Sequence, residues 1–158
     1  MKRYLLILFT VLLFSSGCGK RGQAAGEREE IKITFFDVGK GDAILIETEN
    51  TSMLIDAGYD DTAEVLLDYL RQRDGEPLDY LVITHFDKDH VGGADHVLKD
   101  VGAEQIFQPD YEGDSGQYQE YLEALDAAGQ QPELVTDTRS LSFDGAECLI
   151  YPPQKQEY

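Results

Sequence analysis

Basic residues are scarce in this sequence, which has 13 lysines and arginines against 31 aspartates and glutamates and a formal net charge of −18 over 158 residues. A surface this acidic repels a phosphate backbone unless a cation or a local basic patch offsets the charge. The sequence contains no basic stretch that would form such a patch. Charge therefore argues against tight nucleic-acid binding, although a divalent cation would invert the local sign at a bound phosphodiester.

Long apolar runs are also missing. The run from Tyr4 to Phe14 has 11 residues, whereas a helix needs roughly 20 residues to cross a bilayer. Because it follows a basic start, this run predicts a signal peptide. Ser-Ser-Gly-Cys at the end of the run resembles a bacterial lipobox, so we expect a lipid at Cys18 that anchors the chain outside the cytoplasmic membrane. The alternative is an ordinary secreted protein with a coincidental cysteine.

These features divide the chain into three parts. We expect a lipoprotein signal peptide over residues 1–18, a polar tether over residues 19–30 and one domain over residues 31–158. Only two cysteines are present, so lipidation of Cys18 would leave Cys148 without a disulfide partner. Cys148 lies in an apolar run, which favours a small buried residue over a nucleophile.

Hydrophobic periodicity predicts alternating strands and helices within the domain. The predicted strands are Ile31–Phe36, Ala43–Glu47, Met53–Ile55, Tyr80–Thr84 and Ala103–Gln108, followed by a strand that starts at Leu134 and a hairpin across Asp144-Gly145. The predicted helices are Asp61–Arg73, with a core stripe of Val65, Leu66, Tyr69 and Leu70, then Ala94–Asp100, and one that Ser115 caps and Gly129 ends. The continuously apolar strand that ends at Thr84 is typical of a buried strand in a largely parallel sheet.

Four potential metal ligands follow that strand at once: His85, Asp87, Asp89 and His90. The end of the strand places them at the carboxyl edge of the sheet, where ligand sites of open α/β sheets collect. Clustering two carboxylates and two imidazoles without a cation is electrostatically costly, and both groups are ligands for divalent cations. The pattern therefore predicts a metal site. An Asx-rich turn before a solvated helix is the alternative interpretation.

The same residues carry a family resemblance. Thr-His-Phe-Asp-Lys-Asp-His-Val-Gly-Gly, at positions 84–93, resembles the HxHxDH signature of the metallo-β-lactamase fold, with Asp87 in place of the middle histidine. Together with Phe-Phe-Asp-Val-Gly-Lys-Gly-Asp-Ala, at positions 35–43, this variant is similar to the hydrolase domain of the ComEC family of DNA-uptake competence proteins and its secreted relatives. The family usually has glutamine where this chain has Lys40. The resemblance runs from Ile31 to the last residue.

The resemblance implies an α/β fold, the four-layer αββα sandwich built from two similar halves. It covers the N-terminal half, so we expect the domain at 31–158 to be incomplete, with one large apolar face of its sheet left open. No histidine follows His96, and the family pattern gives His96 no ligand role. We therefore expect His96 to be a surface histidine.

The resemblance also implies roles for the clustered residues. His85, Asp87, Asp89 and His90 are expected to bind a divalent metal, dinuclear in complete relatives, with Asp89 also acting as the catalytic residue. Carboxylate in place of imidazole at Asp87 makes the site harder, so Mn²⁺ competes with Zn²⁺ as the expected metal.

Two further aspartates are expected to support the loop that contains His85 to His90, called the metal loop below. Asp56 closes an apolar strand, and the family uses such a residue to order the loop through hydrogen bonds. Asp42 has the same expected role, with a plain hairpin turn as an equal alternative.

The implied function is metal-dependent hydrolysis of a phosphodiester, with DNA as the substrate, outside the cell membrane. Three alternatives stay open: a hydrolase of a lactam, lactone or thioester, a non-catalytic surface lipoprotein that binds a metal or a partner, and a pseudogene-like fragment with no stable fold. The turn at Asp42 and the substitution at Asp87 argue against the first alternative.

Overall fold

The computed structural model describes residues 30–73 and 75–154. The predicted signal peptide, the lipidation site Cys18 and the tether up to residue 29 lie outside the described residues, so these predictions stay open. Within the described ranges, none of the helices reaches the length and hydropathy that crossing a bilayer requires.

A mixed sheet of six strands forms the centre of the described structure, and its strands lie side by side in chain order. They are β1 (Lys32–Phe35), β2 (Ile44–Glu47), β3 (Ser52–Ile55), β4 (Leu78–Val82), β5 (Ala103–Gln108) and β6 (Glu133–Leu134). The first three strands pair antiparallel, and β3 to β6 pair parallel. Short turns permit only antiparallel pairing, so the predicted parallel sheet begins at β3, where helical crossovers begin.

The helices are α1 (Ala63–Leu70), α2 (Lys88–Val91), α3 (Ala94–Asp100) and α4 (Gly116–Ala128), and a single 3-10 turn, Asp60–Thr62, precedes α1. The bounds predicted for α3 and β5 are confirmed, as is the cap of α4, where the Ser115 hydroxyl accepts the Tyr118 N–H at 3.1 Å. Gly129 ends α4 in the left-handed conformation, with φ of 65°. Local signals therefore set these boundaries.

Two predictions in this region are wrong. Val65 is 48% exposed, and Leu67 takes its place in the core. The buried face of α1 follows the spacing i, i+3, i+4, i+7 from Ala63, which excludes Val65. The strand predicted to end at Thr84 ends at Val82, although the chain stays beside β5 for one more residue, because the Ile83 N–H donates to the Phe107 carbonyl.

Alternate residues of the central strands point to opposite faces of the sheet. Leu54 and Leu81 pack with the helices in the larger core. Their neighbours Met53 and Val82 pack in a second cluster on the other face. The sheet is therefore apolar on both faces, which explains the continuous apolar character of β4.

A hairpin of β7 (Arg139–Phe143) and β8 (Ala146–Ile150) covers the centre of that second face. The prediction of a hairpin across Asp144-Gly145 is confirmed. At the β1 edge of the same face, Ile33 and Phe35 are 53% and 73% exposed. The face that we expect to be open is therefore partly covered, and its exposed apolar residues concentrate at the β1 edge.

One carboxylate links the hairpin to the central sheet. Asp144 Oδ2 accepts the Asn50 N–H at 2.8 Å and the Thr48 hydroxyl at 2.5 Å, both in the turn between β2 and β3. These hydrogen bonds favour the ionised form and lower the pKa of Asp144, mainly through Thr48. Cys148, on β8, is half-buried where a buried residue is expected, and this partial burial raises the pKa of its thiol.

We predict that the Asp144→Asn variant loses a stabilising contribution that depends on pH. Because the folded-state pKa of Asp144 is below its usual 3.8, this contribution is complete above that value and disappears as the pH falls through the lowered pKa. Asparagine tolerates the left-handed backbone here, where φ is 43°. Melting temperatures of both proteins, measured from neutral pH to below pH 3.8, should converge in acid. A difference that is constant with pH would contradict the assignment.

Candidate metal centre

Two histidines meet at the carboxyl end of β4. His85 lies three residues beyond the last residue of the strand, and His90 lies on α2, with ring centroids 3.8 Å apart. Sequence reasoning places both residues in one loop, but the Asp87 carbonyl accepts the N–H groups of His90 and Val91 and so starts a helical turn. This turn brings the second imidazole back over the first. Both side chains remain partly accessible, at 24% for His85 and 14% for His90.

A buried carboxylate fixes the orientation of His90. Asp56 is 2% exposed, and its Oδ2 lies 2.8 Å from His90 Nδ1. Since an ionised carboxylate only accepts hydrogen bonds, Nδ1 carries the proton, and Nε2 of the neutral ring is left with its lone pair. The hydrogen bond to Asp56 is the main cause that raises the pKa of His90, and the charges of Asp56, Asp89 and Asp42 add to it against an opposing effect of burial.

Thr84 connects this carboxylate to the other histidine. Its backbone N–H donates to Asp56 Oδ1 at 2.8 Å, and its hydroxyl donates to Asp56 Oδ2 at 2.5 Å. The hydroxyl has one proton, so it accepts from His85 Nδ1, which lies 3.0 Å away. The neutral His85 ring then also has its lone pair on Nε2. One network thus sets the tautomers of both imidazoles, and sequence reasoning did not identify Thr84 as part of it.

Main-chain contacts hold the metal loop against the turn between β1 and β2. The Asp42 N–H donates to the Asp89 carbonyl at 3.2 Å, the Asp42 carbonyl accepts the Gly58 N–H at 2.9 Å, and the Ala57 N–H donates to the His90 carbonyl at 2.8 Å. The Asp42 side chain is 64% exposed, with its Oδ2 4.0 Å from His90 Nδ1. Asp42 therefore supports the loop through its backbone.

The predicted ligands do not all lie together. The group close enough to share one ion at this end of the sheet comprises Asp56, His85 and His90, with ligand atoms within 4.8 Å of one another. Asp87 is 69% exposed, and its Oδ2 is 3.7 Å from His85 Nε2. Asp89 lies beside His90 and contributes to the pKa of that histidine through its charge. The ligand roles of Asp87 and Asp89 stay predictions.

The donor set fits a divalent cation. Two imidazoles with Nε2 lone pairs stand among the carboxylates of Asp42, Asp56 and Asp87, and hydrogen bonds fix one Nδ1–H of each ring. Metal-binding histidines in proteins almost always donate the other ring N–H in this way. This arrangement is the observation in favour of a metal, independent of the sequence signature.

Residues 36–149 match the sequence model of the metallo-beta-lactamase superfamily. The chain belongs to this superfamily. Among solved structures it resembles a metallo-beta-lactamase with an HARLDQ motif from Cronobacter sakazakii (Enterobacter sakazakii), at a TM-score of 0.51 and 17% identity, over 73% of this chain and 47% of that one. At this identity the likeness shows the fold, and it confirms the predicted fold class.

Two curated relatives place the domain within the superfamily. The chain is 34% identical to recombination protein 2 of Haemophilus influenzae over 110 residues, 66% of this chain and 13% of that protein. It is also 34% identical to the competence protein ComA of Neisseria gonorrhoeae over 92 residues, 58% of this chain and 13% of that protein. The domain is therefore ComEC-like, as the motifs at 35–43 and 84–93 indicate, and it spans a small part of these relatives' length.

We predict that Gly41→Ala destabilises the protein by at least about 2 kcal/mol. A Cβ at position 41 would lie 1.8 Å from the Asp89 carbonyl oxygen, so the turn would have to move away from the metal loop. Gly116→Ala is the matched control, because a Cβ there meets no atom within 4 Å and alanine favours the helix. Urea denaturation of both variants measures the difference. Equal stability of the two variants would show that the close approach does not constrain the loop.

Proposed function

We propose that this domain is a metal-dependent hydrolase that cleaves phosphodiester bonds in DNA outside the cytoplasmic membrane. The observation that carries the proposal is the network in which Asp56 and Thr84 fix the tautomers of His90 and His85. Membership of the metallo-beta-lactamase superfamily supports hydrolysis. The names of the relatives, a recombination protein and a competence protein, support DNA as the substrate.

The proposed roles follow from the position of each residue. His85 and His90 would hold the metal through Nε2, with Asp87 and Asp89 as the carboxylate ligands. A bound divalent cation would lower the pKa of a water molecule and neutralise charge at the phosphodiester. Asp89 would accept a proton from a water molecule bound there. Asp56 keeps the His90 ring oriented. The Asp56 side chain is itself buried and therefore inaccessible to substrate.

The choice between Zn²⁺ and Mn²⁺ is part of the proposal. Two imidazoles suit Zn²⁺, whereas the carboxylates of Asp87 and Asp89 suit a harder ion such as Mn²⁺. Because the chain has a formal net charge of −18, the cation also provides the local positive charge that a DNA backbone needs at the site. We therefore expect DNA to be a transient substrate that binds weakly without metal.

We predict that His85→Ala and Asp89→Asn each lower metal-dependent DNA cleavage by the full chain at least about 100-fold. Asp126→Asn, an exposed carboxylate on α4, is the matched control and should keep wild-type activity. The measurement is cleavage of single- and double-stranded DNA with Zn²⁺ or Mn²⁺, beside a β-lactam, a lactone and a thioester. Activity that survives chelation and His85→Ala would contradict the proposal. Stoichiometric metal without turnover would identify a non-catalytic binding protein.

We predict that Cys18→Ser releases the protein from the membrane fraction. The proposed lipid is attached through the Cys18 sulfur, and the described residues contain no helix able to cross a membrane. Fractionation and labelling with a radioactive fatty acid in a bacterial host measure the effect, with Cys148→Ser as the control that stays anchored. Equal membrane association of the two variants would show that Cys18 is not the anchor.

A further inference from the structure

A second cluster of metal-binding side chains lies outside the candidate metal centre. Asp60, in the 3-10 turn before α1, faces Asp95 and His96, which lie in the first turn of α3. The three residues bring one ligand atom each to within 4.8 Å of one another. None of them belongs to the signature at 84–93, and the family resemblance gives His96 no ligand role.

Asp95 is the most informative member of this cluster, because it is 4% exposed. Its Oδ2 accepts from the Lys99 ammonium at 2.6 Å. Its Oδ1 is buried and accepts no hydrogen bond from any described residue. A buried carboxylate oxygen without a partner costs free energy, so such atoms in proteins call for a ligand or an ion.

The carboxylate oxygen of Asp95 that accepts no hydrogen bond from the described residues, Oδ1, lies close to the other two side chains. Its Oδ1 is 3.9 Å from His96 Nε2, and His96 Nε2 is 2.8 Å from Asp60 Oδ1. Ligand atoms at roughly 2.0–2.2 Å from a tetrahedral ion stand about 3.4 Å apart. The second distance is that of a hydrogen bond donated by His96 Nε2–H, so it would open slightly when the ion replaces this proton. The first closes with a small movement of His96, whose side chain is 41% exposed.

We propose that Asp60, Asp95 and His96 form a second binding site for a divalent transition-metal cation. Two carboxylates and one imidazole suit Zn²⁺ or Mn²⁺ better than Mg²⁺ or Ca²⁺, which prefer oxygen ligands alone. The exposed sides of Asp60 and His96, at 46% and 41%, give the ion access to solvent and to water as a further ligand. This proposal does not depend on the proposed hydrolase function.

The site would clamp two segments that support the metal loop. Asp60 follows Ala57 and Gly58, whose N–H groups donate to the His90 and Asp42 carbonyls. On the other segment, the Gly93 N–H donates to the Gly58 carbonyl at 3.3 Å, next to Asp95. An ion held by both segments would therefore restrain the segment whose Ala57 N–H donates to the His90 carbonyl.

The test is the metal content of the full chain, measured by equilibrium dialysis with Zn²⁺ or Mn²⁺ alone. A His85→Ala background weakens the first centre, so that the second site is counted separately. We expect this background to retain one equivalent, and the added substitution His96→Gln or Asp95→Asn to weaken its binding at least about 10-fold. Asp100→Asn, on the same helix and paired with Arg71, is the matched control and should leave the content unchanged.

Lys99→Met separates a metal site from a structural ion pair. Removal of the ammonium leaves both oxygens of Asp95 for the cation, so we expect tighter metal binding and a larger rise in melting temperature when metal is added. If Asp95 serves only its ion pair with Lys99, this variant melts lower and metal does not restore it. That result, a His85→Ala background without stoichiometric metal, or equal affinity after His96→Gln would each overturn the proposal, whatever the DNA-cleavage assay shows.

Discussion

The carboxylate of Asp56 is the constraint on which the candidate metal centre depends. It lies at the end of β3, is 2% exposed, and has φ of 56°, a left-handed conformation that costs free energy for a residue other than glycine. Three hydrogen bonds, two from Thr84 and one from His90, offset that cost and the cost of burying a charge. The orientation and the tautomer of both imidazoles therefore depend on this single side chain.

The sheet places Asp56 within hydrogen-bonding distance of Thr84 and His90. Parallel pairing of β3 with β4 aligns the carboxyl ends of both strands, so the residues that follow each strand meet at one edge. The antiparallel pair β1–β2 then brings the turn at Gly41 against the Asp89 carbonyl, which only a residue without a Cβ permits. The metal loop is thus held from the strand before it and from the turn beside it.

Charge connects this architecture to function. An acidic chain with carboxylates around two imidazoles attracts cations and repels polyanions, so the proposed phosphodiester substrate would need a bound metal at the site. The cluster of Asp60, Asp95 and His96 uses the same two kinds of ligand in a different ratio, with two carboxylates and one imidazole. The two groups differ in their hydrogen bonding: both carboxylate oxygens of Asp56 accept hydrogen bonds, whereas Asp95 Oδ1 accepts none from the described residues.

Local patterns in the sequence were sufficient to predict the superfamily from its signature, the bounds of α3 and β5, the Ser115 cap and the Asp144-Gly145 hairpin. Each of these features depends on residues within a few positions of one another. Packing between distant segments decided the rest. The hydrogen bonds that Asp56 accepts from His90 and that Asp60 accepts from His96 span 34 and 36 residues, and no local pattern encodes them. Likewise, the apolar pattern of α1 admits either Val65 or Leu67 into the core, and only the packing of Ala63, Leu66 and Leu70 against the sheet selects Leu67.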